Sequence, residues 1–199
     1  VVRGLRDGGA TEILILDGHG SQTVIPHLIE PGARHITGKG KPRSGGVLWG
    51  LDKSYAGLVQ IAAHAMRGTS DGVLNHTQSV VNRYWYNGVE SGELAQSAAI
   101  AGFFGVPPIF VSGDEATCRE ARNFFGENCV TVAVKRGIAR EAAVLYPFEE
   151  TRQALYEGAK RAMEVIKLCK PYTLETPIKA KKQYLSSGPT IMEYLEKES

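Results

Sequence analysis

Residues 62–78, AAHAMRGTSDGVLNHTQ, place two of the chain's five histidines on either side of one turn-rich loop. His64 ends a stretch of small apolar residues, and His76 follows a segment holding Gly68, Ser70, Asp71 and Gly72. A third histidine, His19, lies in the loop DGHGS, and Glu93 opens a small-residue amphipathic stretch further on. Two imidazoles and a carboxylate form a common ligand set for zinc or a similar divalent ion. Neutral imidazole lends a lone pair, the carboxylate offsets the metal's charge, and Gly18, Gly20, Ala63, Ala65 and Gly92 leave room for close approach. Each residue also has a plainer reading. His19 suits a hydrogen-bonded surface position, His64 a satisfied core position, and Glu93 a first-turn acid favoured by the helix dipole. His76 follows a loop, not a strand end. With an unperturbed pKa near 6.5, an imidazole there either moves protons beside a metal or hydrogen-bonds its loop.

The elements that must position these residues read as an α/β chain. EILIL (12–16) is a short Ile/Leu run of the kind buried on both faces of a parallel sheet. It empties into DGHGS, at the strand edge where open parallel sheets bind ligands. A strand at 34–37 and another over 58–63 follow, the second delivering His64. Asn87-Gly88 is a strong hairpin signal inside NRYWYNGVE. Residues 93–104 predict a helix, VPPIFVSGD a third buried strand, 114–127 a helix with acids in its first turn, and CVTVAV a fourth strand. A long helix runs over 149–168, a strand over TPIKAKKQY, and Pro189 after Gly188 predicts a last helix over 189–198. The expected fold is a mainly parallel sheet flanked by helices, with a metal-binding α/β domain over 1–130 and a smaller α+β part over 131–199. The opening VVRGLRDGG reads as a helix tail before a turn, so a further segment is expected ahead of Val1.

Other candidates carry less. Asp17 and Asp114 either orient histidines or cap turns. Lys39, Lys41 and Arg43 sit in a basic glycine loop that could hold a carboxylate or simply face water. Tyr84, Trp85 and Tyr86 suit packing or a subunit contact, and His27 and His35 have no partner pattern. Ser21 and Ser112 lack a GxSxG elbow, and no GxGxxG or P-loop motif appears. A net charge of +2 gives no reason to expect nucleic acid or an anionic membrane as partner. No apolar run reaches the roughly 18 residues of a membrane span. Cys118, Cys129 and Cys169 are odd in number and lack CxxC spacing, which fits reduced thiols in the cytoplasm.

Five motifs in order carry a family resemblance over residues 10–171. LDGHGS (16–21), HAMRGTSDGVLNHT (64–77), SGELA (91–95), VPPIFVSGDE and VAVKRGIAREAA together resemble the zinc-dependent D-aminopeptidases of the DppA type. The resemblance implies that His19, His64 and Glu93 are zinc ligands and that His76 is catalytic. It implies a centre of two zinc ions that hydrolyses the N-terminal residue from short D-amino-acid peptides. Metal-assisted hydrolysis would then use His76 for proton transfer, in preference to covalent catalysis. It also implies a homo-oligomer, ring-like and decameric. The family's Asp-x-Glu strand, whose carboxylates hold both metals, is not among these residues, and residues near Leu185 are also expected to be missing. Two other readings suit the same pattern: an amidohydrolase acting on another small amide, and an oligomeric binding protein that has lost its metal.

Overall fold

The computed structural model describes residues 1–18, 23–36 and 48–184, with residues 191–197 described as backbone. The helix tail is α1 (Val2–Asp7). It leads through a glycine turn to β1 (Ile13–Leu16), which pairs in parallel with β2 (Ala33–Ile36). Next comes β3 (Leu58–Gln60), shorter than the 58–63 stretch expected. It stops because Ala62 takes a left-handed backbone, φ +54°, although Ala63 N–H still donates to Ser112 O at 2.9 Å. The hairpin forms as β4 (Asn82–Tyr86) and β5 (Val89–Glu90). Asn87 and Gly88 turn it with φ of +50° and +85°, the primed geometry that matches strand twist.

After the hairpin come α2 (Glu93–Phe103), β6 (Pro108–Asp114), α3 (Glu115–Phe125), β7 (Val130–Ala139), β8 (Ala142–Leu145) and α4 (Phe148–Val165). One sheet has the order β3-β6-β7-β8, parallel except for β8. Every residue of β6 is buried, as its apolar run requires. Its alternating side chains feed two cores. Phe110 packs with Leu5, Ala159 and Ala162 under α1 and α4, and Val111 packs with Leu94, Ala121 and Cys129 under α2 and α3. The chain is therefore α/β, with parallel-rich sheets between helices, as the alternation of elements predicted.

β9 (Ile178–Tyr184) and β10 (Ile191–Lys197) add to the hairpin in an antiparallel sheet of order β10-β9-β4-β5. β10 corrects the helix expected over 189–198. Met192, Glu193, Leu195 and Lys197 are good helix formers, but β9 offers an open edge. Seven residues pair along it from Ile191–Tyr184 to Lys197–Ile178. Partner pairing overrides so weak a local preference.

Neither β1 nor β3 pairs with the other, and a groove of about 1690 Å³ lies between them. Ile13, Ile15, Val59 and Ile61 line it, and His64 and Glu93 border it as well. Among the described residues no helix is long and apolar enough to cross a membrane.

Candidate metal centre

Three of the four residues singled out in the sequence converge. The ligand atoms of His64, His76 and Glu93 lie within 4.8 Å of one another. His64 Nε2 is 3.8 Å and His76 Nε2 3.6 Å from Glu93 Oε1, too far for strong hydrogen bonds. The two rings stack at 3.8 Å between centroids, 21° from parallel. His19 falls outside the described residues, as do Ser21, Lys39, Lys41 and Arg43.

Each imidazole is oriented by its own backbone. His64 Nδ1 lies 3.1 Å from Ala65 O, and His76 Nδ1 lies 2.6 Å from Leu74 O. A carbonyl only accepts, so in both rings Nδ1 carries a proton, and in the neutral ring Nε2 is the nitrogen with the lone pair. A backbone carbonyl fixing the far nitrogen is the usual support of a metal-binding histidine. Two imidazole nitrogens and one carboxylate gathered within 4.8 Å are a donor set that suits a divalent ion. The two histidine–glutamate separations, 3.8 and 3.6 Å, are a little wider than the roughly 3.3 Å that zinc bond lengths of about 2.0–2.1 Å require in a tetrahedron.

The loop joining the histidines is pinned at many points. Met66 N–H donates to Glu120 Oε2 at 2.7 Å, Arg67 N–H to Thr77 Oγ1 at 3.2 Å and Gly68 N–H to Asn75 Oδ1 at 3.1 Å. Val73 N–H donates to Asp114 Oδ2 at 2.6 Å, and Leu74 N–H to Arg140 O at 2.7 Å. Gly137 of β7 touches the loop so closely that a Cβ there would stand 2.0 Å from Asp71 O. These ties fold His76 back over His64 and hold Leu74 and Gln78 at φ of +51° and +58°. Left-handed backbone costs a non-glycine residue roughly 1–3 kcal/mol, and such residues gather where a site over-determines them. Glu93 takes its place as the first residue of α2. Its Oε1 accepts from Gln78 N–H, Gln78 Nε2 donates to Gln96 Oε1 at 2.9 Å, and Tyr84 Oη–H donates to Gln78 Oε1 at 2.9 Å.

Asp114 both caps and orients. Its Oδ1 accepts from Thr117 N–H and Oγ1–H at the start of α3, while Oδ2 holds the histidine loop. Asp17 caps a turn, accepting from Thr23 N–H, Thr23 Oγ1–H and Val24 N–H. Glu120 was not visible as a site residue in the sequence. It falls on the same helical face as the buried Thr117 and Ala121, and an acid inside a buried stripe is the signal that could have found it. Burial pushes its pKa up to about 7, with Asp114 and Glu90 adding to the rise and the Met66 hydrogen bond opposing it. Burial also pushes the Cys118 and Cys129 thiols up to about 11 and about 12, so neither is a nucleophile near neutral pH.

A helix-flanked parallel sheet that ends in a histidine–carboxylate cluster defines an α/β protein with a metal-binding donor set. Residues 1–190 match the family model described as D-aminopeptidase, the peptidase M55 family, and the chain belongs to that family. The D-aminopeptidase of Bacillus subtilis (strain 168) is 31% identical over 169 residues, which are 84% of this chain and 60% of that protein. The chain thus spans about 60% of the length of this curated relative. A solved structure described as "Zn-dependent D-aminopeptidase DppA from Bacillus subtilis, a self-compartmentalizing protease" shares the fold. Its TM-score is 0.87 at 24% identity, over 98% of this chain and 77% of that one.

Proposed function

We propose that this chain carries the active centre of a zinc-dependent aminopeptidase that releases N-terminal residues from short D-amino-acid peptides. The observation behind this reading is the convergence of His64 Nε2, His76 Nε2 and Glu93 within 4.8 Å, with both Nδ1 atoms occupied by backbone carbonyls. Family membership and the printed names of the relatives supply the substrate class.

In this reading His64, Glu93 and His19 hold the metal, which when bound polarises the scissile carbonyl as a Lewis acid. Gln78 N–H steadies Glu93. His76 keeps Nδ1–H on Leu74 O and uses Nε2 to take a proton from the attacking water and return it to the departing amine. Two zinc ions per subunit require further carboxylates, expected from an Asp-x-Glu strand. A cytoplasmic, ring-like homo-oligomer, decameric by family resemblance, belongs to the same reading. The description "self-compartmentalizing" of the structural relative supports an assembly of this kind.

The test is elemental analysis of chelator-free protein together with hydrolysis of D-Ala-D-Ala and L-Ala-L-Ala. Bound zinc with turnover of the D-dipeptide is expected. His76→Ala should keep its metal and lose turnover by about 100- to 10,000-fold, the usual worth of acid–base catalysis. His64→Ala should lose metal first. A metal-free His76→Ala protein would make His76 a ligand, and wild-type protein without metal would leave a binding protein.

A further inference from the structure

We propose that Glu120 is a positioning residue of this centre, its buried carboxyl group clamping the backbone just after His64 to the turn just before Glu93. The inference rests on the metal-site reading above and concerns what holds that site in shape. Glu120 lies mid-way along α3 and is only 7% exposed. Its Oε2 accepts Met66 N–H at 2.7 Å, two residues beyond His64. Its Oε1 is buried, has no hydrogen-bond partner among the described residues, and faces Gly92, the N-cap of α2 and the residue before Glu93. A Cβ on Gly92 would sit 2.6 Å from Oε1 and 2.6 Å from Met66 Cβ, so three segments meet with no space to spare. One carboxyl group thus touches two stretches that lie 54 and 28 residues away in sequence and that carry two of the three converging groups.

A buried acid with one unpartnered oxygen is a poor choice for stability alone, since an apolar side chain would fill the same space without the desolvation cost. Its gain is geometric. Metal affinity depends on ligand atoms held to within about half an ångström, and groups behind the ligands typically contribute 10- to 100-fold. Met66 N–H needs an acceptor there, and Glu120 supplies it from a rigid helix.

The experiment compares wild-type protein with Glu120→Gln, Glu120→Leu and Glu120→Ala. Zinc affinity is measured by chelator competition, kcat and KM on D-Ala-D-Ala, and exchange of the Met66 amide by hydrogen exchange. Gln keeps a carbonyl acceptor for Met66 N–H, so zinc affinity within about threefold of wild type is expected, with the amide still protected. Leu fills the volume without accepting. It should weaken zinc about 10- to 100-fold, lower kcat more than KM, and expose the Met66 amide; Ala should do the same. Leu is the deciding variant if Ala fails to fold. Zinc affinity unchanged in Leu, or lost as fully in Gln as in Leu, overturns the clamp while the metal site stands. Wild-type protein that takes up no zinc overturns the metal-site reading and the clamp together.

Discussion

Replacing Asp114 tests how the histidine loop is held. The side chain is 1% exposed and accepts three hydrogen bonds, from Thr117 N–H at 2.7 Å, Thr117 Oγ1–H at 2.6 Å and Val73 N–H at 2.6 Å. Loss of a helix N-cap to alanine costs about 1 kcal/mol. Stranding the half-buried Val73 N–H costs about 1–3 kcal/mol more. Asp114→Ala should therefore lose about 3 kcal/mol, which for a domain of this size lowers Tm by about 6–12 °C. Asp114→Asn retains one carbonyl oxygen, which can serve Thr117 or Val73 but not both, so about half that loss is expected. The assay is urea unfolding of chelator-treated protein, with kcat on D-Ala-D-Ala measured on the zinc-loaded protein. Val73 stands three residues before His76, so a variant that frees it should displace His76 and lower kcat while keeping its zinc. Asp114→Ala within 1 kcal/mol of wild type, or Asn as damaging as Ala, would refute the reasoning.

Two further outcomes follow from the same geometry. Glu120 has a pKa of about 7 in the fold against an ordinary value near 4.5, so the folded state binds the extra proton. Its contribution is fully favourable below pH 4.5 and is lost as pH rises through 7, to a total of about 3 kcal/mol. The stability of chelator-treated wild type relative to Glu120→Gln should fall across that window, and parallel curves from pH 4 to 8 would contradict the buried carboxyl. Gly137→Ala would drive a methyl group into Asp71 O, 2.0 Å away. It should cost about 1–3 kcal/mol and lower kcat with zinc retained, because the displaced loop carries His76.

Much of the architecture was legible in local pattern. The apolar run of β6 announced burial on both faces, and Asn87-Gly88 announced its hairpin because few dipeptides tolerate two left-handed residues. The C-terminal strand was not legible. Residues 191–197 have helix-forming composition, and only the open edge of β9 makes them a strand. Likewise β3 ends at Gln60, and Ala62 just beyond it takes a left-handed backbone that no local residue pattern announces.

The candidate site divides in the same way. Residue type and order offered His19, His64 and Glu93 as a ligand set for a divalent ion, and the family resemblance added His76 as the catalytic residue. Only the tertiary structure decided how His64, His76 and Glu93 meet. It set the stacking of the two rings, the occupation of each Nδ1 by a carbonyl, and the clamps from Asp114 and Glu120 that lie 41 and 54 residues from the backbone they hold. A buried acid in a helical stripe marks Glu120 as unusual, but a carboxyl group that caps a helix or sits within one looks the same in sequence whichever loop it also holds. The physical reason is that ligand chemistry is a property of single side chains, whereas ligand geometry is a sum of contacts between segments that fold together.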